Sequence, residues 1–441
     1  MKTIFAGQRC NLCQRLAARL SDVVPEGEES PADDRKHGQS GVPHSSGAQP
    51  AGHASVRLFS EARLHRNPDG AIQALDVSSA AAAWDAYVDR LGSVELAARV
   101  GPPNPAACLP VGRIGVCPLP FYSGPRQLLR RLPRVLGAVR TATSGTSLCL
   151  FRLPGTIGLI GATWSMLRRH RYALEVIGDP AGVLRSGVLG PVGRLLAPAC
   201  AVWMRWVVAG ASAGYFVTES TLQSLYPLAP GAPEHSFPLV NLADEDFTAG
   251  PRSDRRPVRR LIAVGTHDQL YKGHDDLIRA LALLAARGLD LHLGLVGDGR
   301  HHDTLRQLAR ANRVADRVTF HGRVNARGDL RQLLDEADLF CMPSRTEGLP
   351  RALIEAMARG VPAVGTTAGG IPELIEPRFC TRPSDPGALA ALIATFADGT
   401  VDVALASREV WQRAQHFTAS QQAERVSRWH DEIARLARRS S

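Results

Sequence analysis

The amino-acid sequence predicts an α/β protein in which two Rossmann-like domains, each with a doubly wound parallel sheet, face one another across a cleft. Between 258 and 403, short apolar runs alternate regularly with helical segments, which is typical of such a sheet. A weaker alternation of the same kind runs from 53 to 240. The stretch 241–257 between them is polar and contains several prolines and glycines, so we interpret it as a linker.

The second half provides the clearest elements. Its predicted strands are RRLIAVGT, LHLGLVGDG, RVTFHG, DLFCMPS and VPAVGT. Between the last two, PRALIEAMARG is a predicted helix with Pro350 in its first turn and Gly360 just past its end, the expected asymmetry. Residues 404–441 form two further helices that have no strand to return to. We expect these C-terminal helices to pack back, against the first domain.

The first half is less regular. Its predicted strands are VRLFSEARL, TSLCLFRLPG, YALEVIGDP and SAGYFVTES, and AAAAWDAYVDRLG is a predicted helix. The apolar stretch 195–217 is long enough to span a membrane, but Pro198 and Arg205 interrupt it. A buried helix followed by a buried strand fits it better. Residues 1–52 are polar and rich in Gly, Pro and Ser, which predicts a disordered extension.

Charge and cysteine content narrow the class of protein. The net charge of +10 favours anionic partners. Nucleic acid is not expected among them, because aromatic residues make up only 5% and no known binding module is present. The eight cysteines form no disulfide framework, and no apolar secretory signal opens the chain, so we expect a cytoplasmic protein. Cys10 and Cys13 lack a second ligand pair for zinc.

Residues that could bind an anion or hydroxyl groups follow the strands of the second half. Glu347 comes directly after DLFCMPS, and Gly348 lets a ligand approach the backbone closely. The helix that begins near Leu349 directs free N–H groups at the same place, a site for an anion. Glu355 follows eight residues after Glu347. Carboxylates accept hydrogen bonds from sugar and ribose hydroxyls, although a helix cap and a solvated helix residue are the simpler alternatives.

A cation and two glycine loops belong to the same set of strand ends. Lys272 precedes Gly273 and a helix, where its ammonium suits a phosphate, although an isolated lysine is more often a surface residue. Gly297-Asp298-Gly299 and Gly369-Gly370 follow two other strands. Because ligands bind outside the carboxyl ends of parallel strands, these loops are expected to converge.

The segment EGLPRALIEAMARGVPAVGTTAGGIPELI, with its E-x7-E spacing, resembles the signature of family 4 of the retaining glycosyltransferases, which have the GT-B fold. The segments VGTHDQLYKG, LGLVGDG and RVTFHGRV support the resemblance, which covers roughly 258–400. In the first half, strand ends such as RLPG, VIGDP and FVTES weakly resemble exopolysaccharide-type members of the family.

The resemblance implies an enzyme that moves a sugar from a nucleotide-diphosphate sugar to a hydroxyl of a saccharide or lipid-linked acceptor. It implies that Glu347 contacts the donor sugar, Glu355 the ribose, and Lys272 the diphosphate, with no metal or other cofactor. The remaining implied donor-binding residues are Gly265, Thr266, Gly297, Gly322, Val324, Gly348, Leu349, Gly369 and Gly370.

One departure from the family leaves an alternative open. Many members have arginine where this chain has Thr266, so half of the usual cationic pair is missing unless Arg300, Arg323 or Arg345 replaces it. A catalytically silent relative, which binds sugar nucleotides or acts as a scaffold for polysaccharide assembly, is the alternative.

Several residues outside this set carry weaker predictions. Asp179, a possible catalytic residue, and Arg152 end strands of the first half and are candidates for the acceptor side, although turn roles are equally open. Glu373 is interpreted as a structural acid of a first helical turn. The D-x-D sequence 244–246 is expected to be a solvated turn of the linker. The arginine-rich segments RQLLRRLPRVLGAVR and MLRRHRY could contact an anionic membrane at its inner face, or be purely structural.

Overall fold

The computed structural model describes residues 55–75, 79, 81, 84–238, 240, 242–253, 257–324 and 326–439. These residues form two α/β domains, each around its own apolar core. The predicted disordered extension 1–52, together with Cys10 and Cys13, lies outside the described residues.

The first domain is built on a nine-stranded sheet. Seven strands are parallel in the order β5-β3-β1-β6-β7-β8-β9, and β2 and β4 extend one end of β1 in antiparallel pairing. Their bounds are β1 Val56–Arg66, β2 Ile72–Ala74, β3 Val94–Gly101, β4 Leu109–Pro110, β5 Gly115–Pro120, β6 Leu148–Leu153, β7 Tyr172–Val176, β8 Ala213–Phe216 and β9 Glu234–Ser236. The four predicted strands correspond to β1, β6, β7 and β8. Strands β2 to β5 were not predicted, because β2 and β4 are very short, β5 contains two prolines, and β3 shows no alternation of apolar and polar residues.

Six helices connect these strands. They are α1 Asp85–Leu91, α2 Gly124–Ala142, α3 Thr156–Leu167, α4 Pro180–Arg185, α5 Gly190–Ala209 and α6 Thr221–Leu225. Right-handed crossovers place α2, α3 and α5 together on one face of the sheet. The prediction of a helix and then a strand over 195–217 is confirmed by α5 and β8. The prediction that this helix is buried is wrong, because α5 exposes much of its apolar surface.

The second domain contains six parallel strands in the order β12-β11-β10-β13-β14-β15. The strands are β10 Arg260–Val264, β11 His292–Val296, β12 Val318–Gly322, β13 Leu339–Met342, β14 Ala363–Thr366 and β15 Cys380–Thr381. The helices are α7 His274–Ala286, α8 His302–Ala311, α9 Arg327–Glu336, α10 Arg351–Ala358, α11 Ile371–Leu374 and α12 Pro386–Ala397. Every strand and helix that the sequence predicted here is present.

The chain returns to the first domain at its end. Helix α13 (Val403–Ala414) packs on the core of the second domain, whereas α14 (Ala419–Arg438) inserts Trp429 and Ile433 into the core of the first. The two passages between the domains lie side by side, because Leu242 pairs with Thr418. The expectation that the last helices pack against the first domain is therefore right for α14 and wrong for α13.

Candidate active site

The centre of the second sheet is the point where its strand order reverses. Strands β10 and β13 are neighbours there, and the chain continues outward to β11 on one side and to β14 on the other. In an open α/β sheet this arrangement leaves a crevice at the carboxyl ends of the two central strands. The loops that follow β10 and β13 are in contact: a Cβ on Gly273 would lie 2.0 Å from the carbonyl oxygen of Pro343. Gly273 also has a positive φ of 73°, so glycine meets both the steric and the conformational demand.

Lys272 and Glu347 meet in this crevice although 75 residues separate them in the chain. The Lys272 Nζ donates a hydrogen bond of 2.7 Å to Glu347 Oε1, and Ser344 Oγ donates another of 2.6 Å to the same oxygen. Both side chains are largely buried, with 21% of the lysine and 9% of the glutamate exposed. The chain has three lysines among 52 basic residues, and Lys272 is the only one within the described residues. The site therefore has the flexible, compact charge of a lysine ammonium, whereas nearly all other basic residues of the chain are arginines.

The glycine loops adjoin this pair. A Cβ on Gly265 would lie 3.5 Å from Lys272 Cδ, and one on Gly297 would lie 1.9 Å from the Gly265 carbonyl oxygen. Gly297 N in turn donates a hydrogen bond of 2.8 Å to Gly322 O. These predicted residues therefore form one connected surface, and at Gly297 the neighbouring backbone lies too close for any side chain.

The loop after β14 closes the other side of the crevice. Gly370 N donates a hydrogen bond of 2.8 Å to Gly348 O, and a Cβ on Gly369 would lie 2.1 Å from Glu347 O. Leu349 packs against both domain cores. The strand-end loops that the sequence singled out are thus brought together around Lys272 and Glu347.

Glu355 lies apart from that pair, in α10. Its side chain, 28% exposed, lines a narrow cavity of about 30 Å³ between α9 and α10. Burial raises the pKa of Glu355 above its ordinary value, which Arg351 and Arg327 only partly oppose. Val324 packs at the edge of the second core, three residues before Arg327. In the described residues Glu355 therefore makes no hydrogen bond or ion pair with Lys272 or Glu347, and its ion pair is with Arg351, at 3.9 Å.

The first domain directly contacts the loop that follows β13. A Cβ on Gly348 would lie 2.3 Å from the carbonyl oxygen of Ile177, which follows β7. One on Gly182 would lie 2.8 Å from Thr346 Oγ1. The carboxyl ends of β7 and β13 consequently face one another across the cleft, as the predicted architecture requires.

Glu373 provides a contact that the sequence did not suggest. Its carboxylate accepts hydrogen bonds from the backbone amides of Glu219, Ser220 and Thr221 and from the two hydroxyls of this group, at 2.6–3.1 Å. It therefore caps α6 of the other domain. Burial raises the pKa of Glu373, but these hydrogen bonds outweigh burial and leave the pKa below its ordinary value. The acid is structural, as interpreted, but it acts between domains rather than in its own helix.

Asp179 and Arg152 lie at the predicted strand ends but have other partners. The Asp179 carboxylate caps α4 by accepting from the amides of Ala181 and Gly182, and it also accepts from Tyr226. Arg152 donates a hydrogen bond of 2.7 Å to Glu175, a fully buried carboxylate of β7. These contacts favour the turn and structural roles that the sequence left open over a role at the acceptor.

The three candidate replacements for the missing arginine differ in their contacts. Arg345 is committed to Asp275 and Asp276, at 2.8 and 2.6 Å. Arg300 Nε donates to the carbonyl of Asp268, whose side chain accepts a hydrogen bond of 3.1 Å from Thr266 Oγ1. Within the described part of the chain Arg323 is exposed and makes no hydrogen bond or ion pair.

Arg323 nevertheless lies close enough to Asp268 to help lower the pKa of that carboxyl, together with the hydrogen bond from the Arg300 amide. Arg300 and Arg323 therefore place positive charge near Asp268 and Thr266, whereas Arg345 pairs with Asp275 and Asp276.

The D-x-D sequence is a turn in which Asp244 and Glu245 are exposed, so the prediction of a solvated turn is wrong only for Asp246. Asp244–Asp246 form a 3₁₀ turn in which Asp246 is 7% exposed and pairs with Arg331 at 3.1 Å and Arg327 at 3.6 Å. Across the described residues, no group of three or more His, Cys, Asp or Glu side chains has the arrangement of a metal site.

A buried histidine cluster beneath the glycine loops was missed. His267 Nδ1 lies 3.2 Å from His302 Nδ1, and the rings of His267 and His274 are edge-to-face at 5.0 Å. Burial lowers the pKa of His274 to about 3, helped by the charges of His267 and Lys272. His267 and His302 are 35 residues apart in the chain, so no local pattern could have associated them.

The similarity to a known protein family lies in the second domain. Residues 258–398 match the family described as Glycosyl transferases group 1. The match falls in the second domain and includes Lys272, Glu347 and Glu355.

Two curated relatives extend the similarity toward the first domain. Protein CapJ of Staphylococcus aureus is 25% identical over 274 residues, which are 62% of this chain and 68% of that protein. A GDP-mannose-dependent monoacylated alpha-(1-6)-phosphatidylinositol monomannoside mannosyltransferase of Corynebacterium glutamicum is 37% identical over 256 residues. That match covers 54% of this chain and 58% of the relative, little more than half its length.

Solved structures match nearly the whole chain. Sucrose-phosphate synthase from Thermosynechococcus elongatus matches with a TM-score of 0.59 at 18% identity, over 86% of this chain and 99% of its own. Anabaena HepE in complex with UDP-glucose matches with a TM-score of 0.55 at 18% identity, over 85% and 100%. Similarity at this identity shows the fold, and the predicted GT-B architecture is thereby confirmed.

Proposed function

We propose that this chain is a family 4 retaining glycosyltransferase, which moves a sugar from a nucleotide-diphosphate sugar to a hydroxyl of a saccharide or lipid-linked acceptor. The match of its second domain to Glycosyl transferases group 1 supports the transfer chemistry. Relatives named as a GDP-mannose-dependent mannosyltransferase and a putative colanic acid biosynthesis glycosyltransferase support a role in polysaccharide or glycoconjugate biosynthesis.

The observation that carries the proposal is the Lys272–Glu347 pair at the point where the strand order reverses. The two side chains neutralise one another at 2.7 Å. A bound donor would give each a stronger partner: the diphosphate for the ammonium and the sugar hydroxyls for the carboxylate. Glu355 would accept hydrogen bonds from the ribose.

The backbone completes this assignment. The amides of Gly348 and Leu349 precede the first turn of α10, where the partial positive charge favours phosphate. The Gly370 amide donates to Gly348 O and would hold this loop in place. The absence of side chains at Gly265 and Gly297 would leave space for the diphosphate, and Gly322 to Val324 would border the base.

The charges of the crevice suit cleavage of an anomeric bond. As that bond breaks, its electron pair moves to the diphosphate oxygen and positive charge develops on the sugar. Lys272 and the amides at α10 would stabilise the leaving group without a metal. The departing phosphate oxygen would take the proton of the acceptor hydroxyl, which then attacks from the same side, so the configuration is retained.

Asp179 is assigned a different role from the one the sequence suggested. Because its carboxylate caps α4, and Gly182 of α4 contacts Thr346, we assign it the task of holding this edge of the first domain against the loop that follows β13. The proposed location is the cytoplasm, where the six cysteines that the structure describes would stay reduced, as their free state requires. Nucleic acid is not a proposed partner.

The test is a donor screen followed by turnover measurements. Thermal shift with UDP-, GDP-, ADP- and dTDP-sugars identifies the donor, and release of nucleoside diphosphate with and without acceptor reports transfer. Lys272→Met and Glu347→Gln should each lower kcat by at least about 100-fold, the usual cost of removing one charge-stabilising group.

The matched control is Arg287→Met, which removes an exposed cation just after the end of α7 and should leave kcat unchanged. Wild-type protein that binds a nucleotide sugar but never consumes it would establish the silent, scaffold-like alternative. Wild-type turnover in both site variants would remove Lys272 and Glu347 from the reaction.

A further inference from the structure

Helix α5 is apolar on two opposite faces. Its inner face packs Ala197, Met204 and Val207 into the core of the first domain. Its outer face exposes a stripe at helical spacing, formed by Val192, Leu195, Ala199, Val202 and Trp206. Leu195 is 79% exposed and Trp206 is 50% exposed. A surface helix of a globular protein ordinarily presents polar residues to water, so this stripe indicates a partner.

The composition of α5 would suit a membrane span. It has 20 residues and a mean hydropathy of 1.3, and among the described residues it is the one helix both long enough and apolar enough to cross a membrane. Only 28% of its most apolar stretch is buried. Its inner face is fixed to the domain, however: Trp203 Nε1 donates a hydrogen bond of 2.8 Å to Thr163 of α3. Arg194 and Arg205 flank the exposed stripe. These features fit a helix that lies on a bilayer rather than one that crosses it.

The surrounding helices are strongly basic. Residues 96–218 contain fourteen arginines, no lysine and two carboxylates, a net charge of +12 against +10 for the whole chain. Both carboxylates, Glu175 and Asp179, are buried. On α2 and at the end of α3 the arginines are exposed, and in the described residues none of them pairs with a carboxylate. They are Arg126, Arg130, Arg131, Arg134, Arg140, Arg168 and Arg169.

The basic and apolar surfaces are contiguous. The guanidinium groups of Arg140 in α2 and Arg168 after α3 both lie over the ring of Trp164, at 5.3 and 5.6 Å from its centroid. Helix α3 also contacts α5 through the Trp203 hydrogen bond. Ten of the twelve large apolar side chains found exposed in the described residues lie in 129–206, so the apolar surface is concentrated on this one layer of helices.

We propose that this layer, formed by α2, the end of α3 and α5, is the surface by which the chain binds an anionic lipid bilayer. The arginines would lie among the lipid headgroups and attract their negative charge, while Leu195, Val202 and Trp206 enter the boundary with the acyl chains. A protein partner would need to be both acidic and apolar over the same area. The surface adjoins the cleft, because only the short helix α4 separates α5 from Thr346. Binding itself does not depend on the proposed transfer reaction.

The experiment is vesicle flotation with the full chain and no nucleotide sugar, so its outcome is independent of catalysis. Wild-type protein should float with vesicles that contain about one third phosphatidylglycerol, and much less with phosphatidylcholine alone. The variant Arg130→Gln with Arg134→Gln should partition about 30-fold more weakly, since two surface charges are lost. Leu195→Glu with Val202→Glu should weaken partitioning by at least about tenfold.

The control is the double variant Leu283→Glu with Leu405→Glu, which places the same two new charges on the second domain. These two leucines are 43% and 46% exposed. This variant should float like the wild type. Circular dichroism melts establish that the variants remain folded. Equal flotation on neutral and anionic vesicles, or wild-type flotation of the α5 variant, would overturn the proposal. So would a dimer in sedimentation velocity that the α5 variant dissociates, since a second copy would then cover the stripe.

Discussion

Replacing Glu373 by alanine should loosen the contact between the two domains without touching either core. The carboxylate accepts three backbone amides and two hydroxyls from the group that precedes α6. It is positioned from behind by Arg413, whose Nε donates a hydrogen bond of 2.9 Å to the Glu373 carbonyl. Alanine removes all five contacts and leaves the first turn of α6 with the Thr218 hydroxyl as its remaining cap, which accepts from Leu222 N at 3.0 Å.

The magnitude follows from the kind of bond and its exposure. A hydrogen bond to a charged group contributes about 1.5–3 kcal/mol, and loss of a helix cap costs about 1 kcal/mol. The five bonds share one carboxylate in a partly exposed position, where water can replace some of them, so their contributions do not add. A total of about 2–3 kcal/mol is expected, which shifts the balance between closed and open domains by roughly 30- to 150-fold.

Two assays test this shift. Small-angle scattering should show a larger radius of gyration for Glu373→Ala than for wild type, and titration calorimetry should show weaker donor binding if donor needs the closed cleft. The matched control is Glu376→Ala, an exposed acid three residues further along the same loop. The effect should be constant between pH 5 and 8, because the lowered pKa of Glu373 keeps the carboxylate charged throughout that range. A Glu373→Ala protein with wild-type scattering and wild-type donor affinity refutes the interdomain role.

Three further predictions follow from the site. Glu355→Ala should weaken donor binding by about 1–3 kcal/mol in calorimetry. Because burial raises the pKa of Glu355, the donor affinity of the wild type should begin to fall at a pH above 4.5 as the solution is acidified. Glu355→Gln should lack that pH dependence. Thermal stability should decline between pH 6.5 and about 3, since the unfolded chain protonates His274 and the folded chain resists it, and His274→Phe should flatten the profile. Gly348→Ala should lower the melting temperature, because the new Cβ would lie 2.3 Å from Ile177 O, and an unchanged melting temperature would show that the domains separate without cost.

Local pattern was sufficient for most of the second domain. Each strand there is a short apolar run bounded by glycine or proline, and each helix shows a 3.6-residue period, so the elements could be identified without knowledge of their neighbours. The order of strand and helix also indicated where the loops must converge. That is why Lys272, Glu347 and the glycine loops could be named together. In the first domain the same approach missed β2 to β5. Strands β2 and β4 have only three and two residues, β5 contains two prolines, and β3 lacks apolar–polar alternation, so pairing with neighbouring strands defines them.

Contacts between distant segments were decided by the tertiary structure. Nothing local associates Glu373 with the amides at 219–221, or His267 with His302. Asp179 and Arg152 end strands as catalytic residues often do, but packing supplied them with partners that a strand end does not reveal. The apolar period of α5 shows that the segment is a helix, and one apolar face suffices to bury it. Only the packed structure shows that its other apolar face has nothing over it, because burial depends on what surrounds a segment and not on its own sequence.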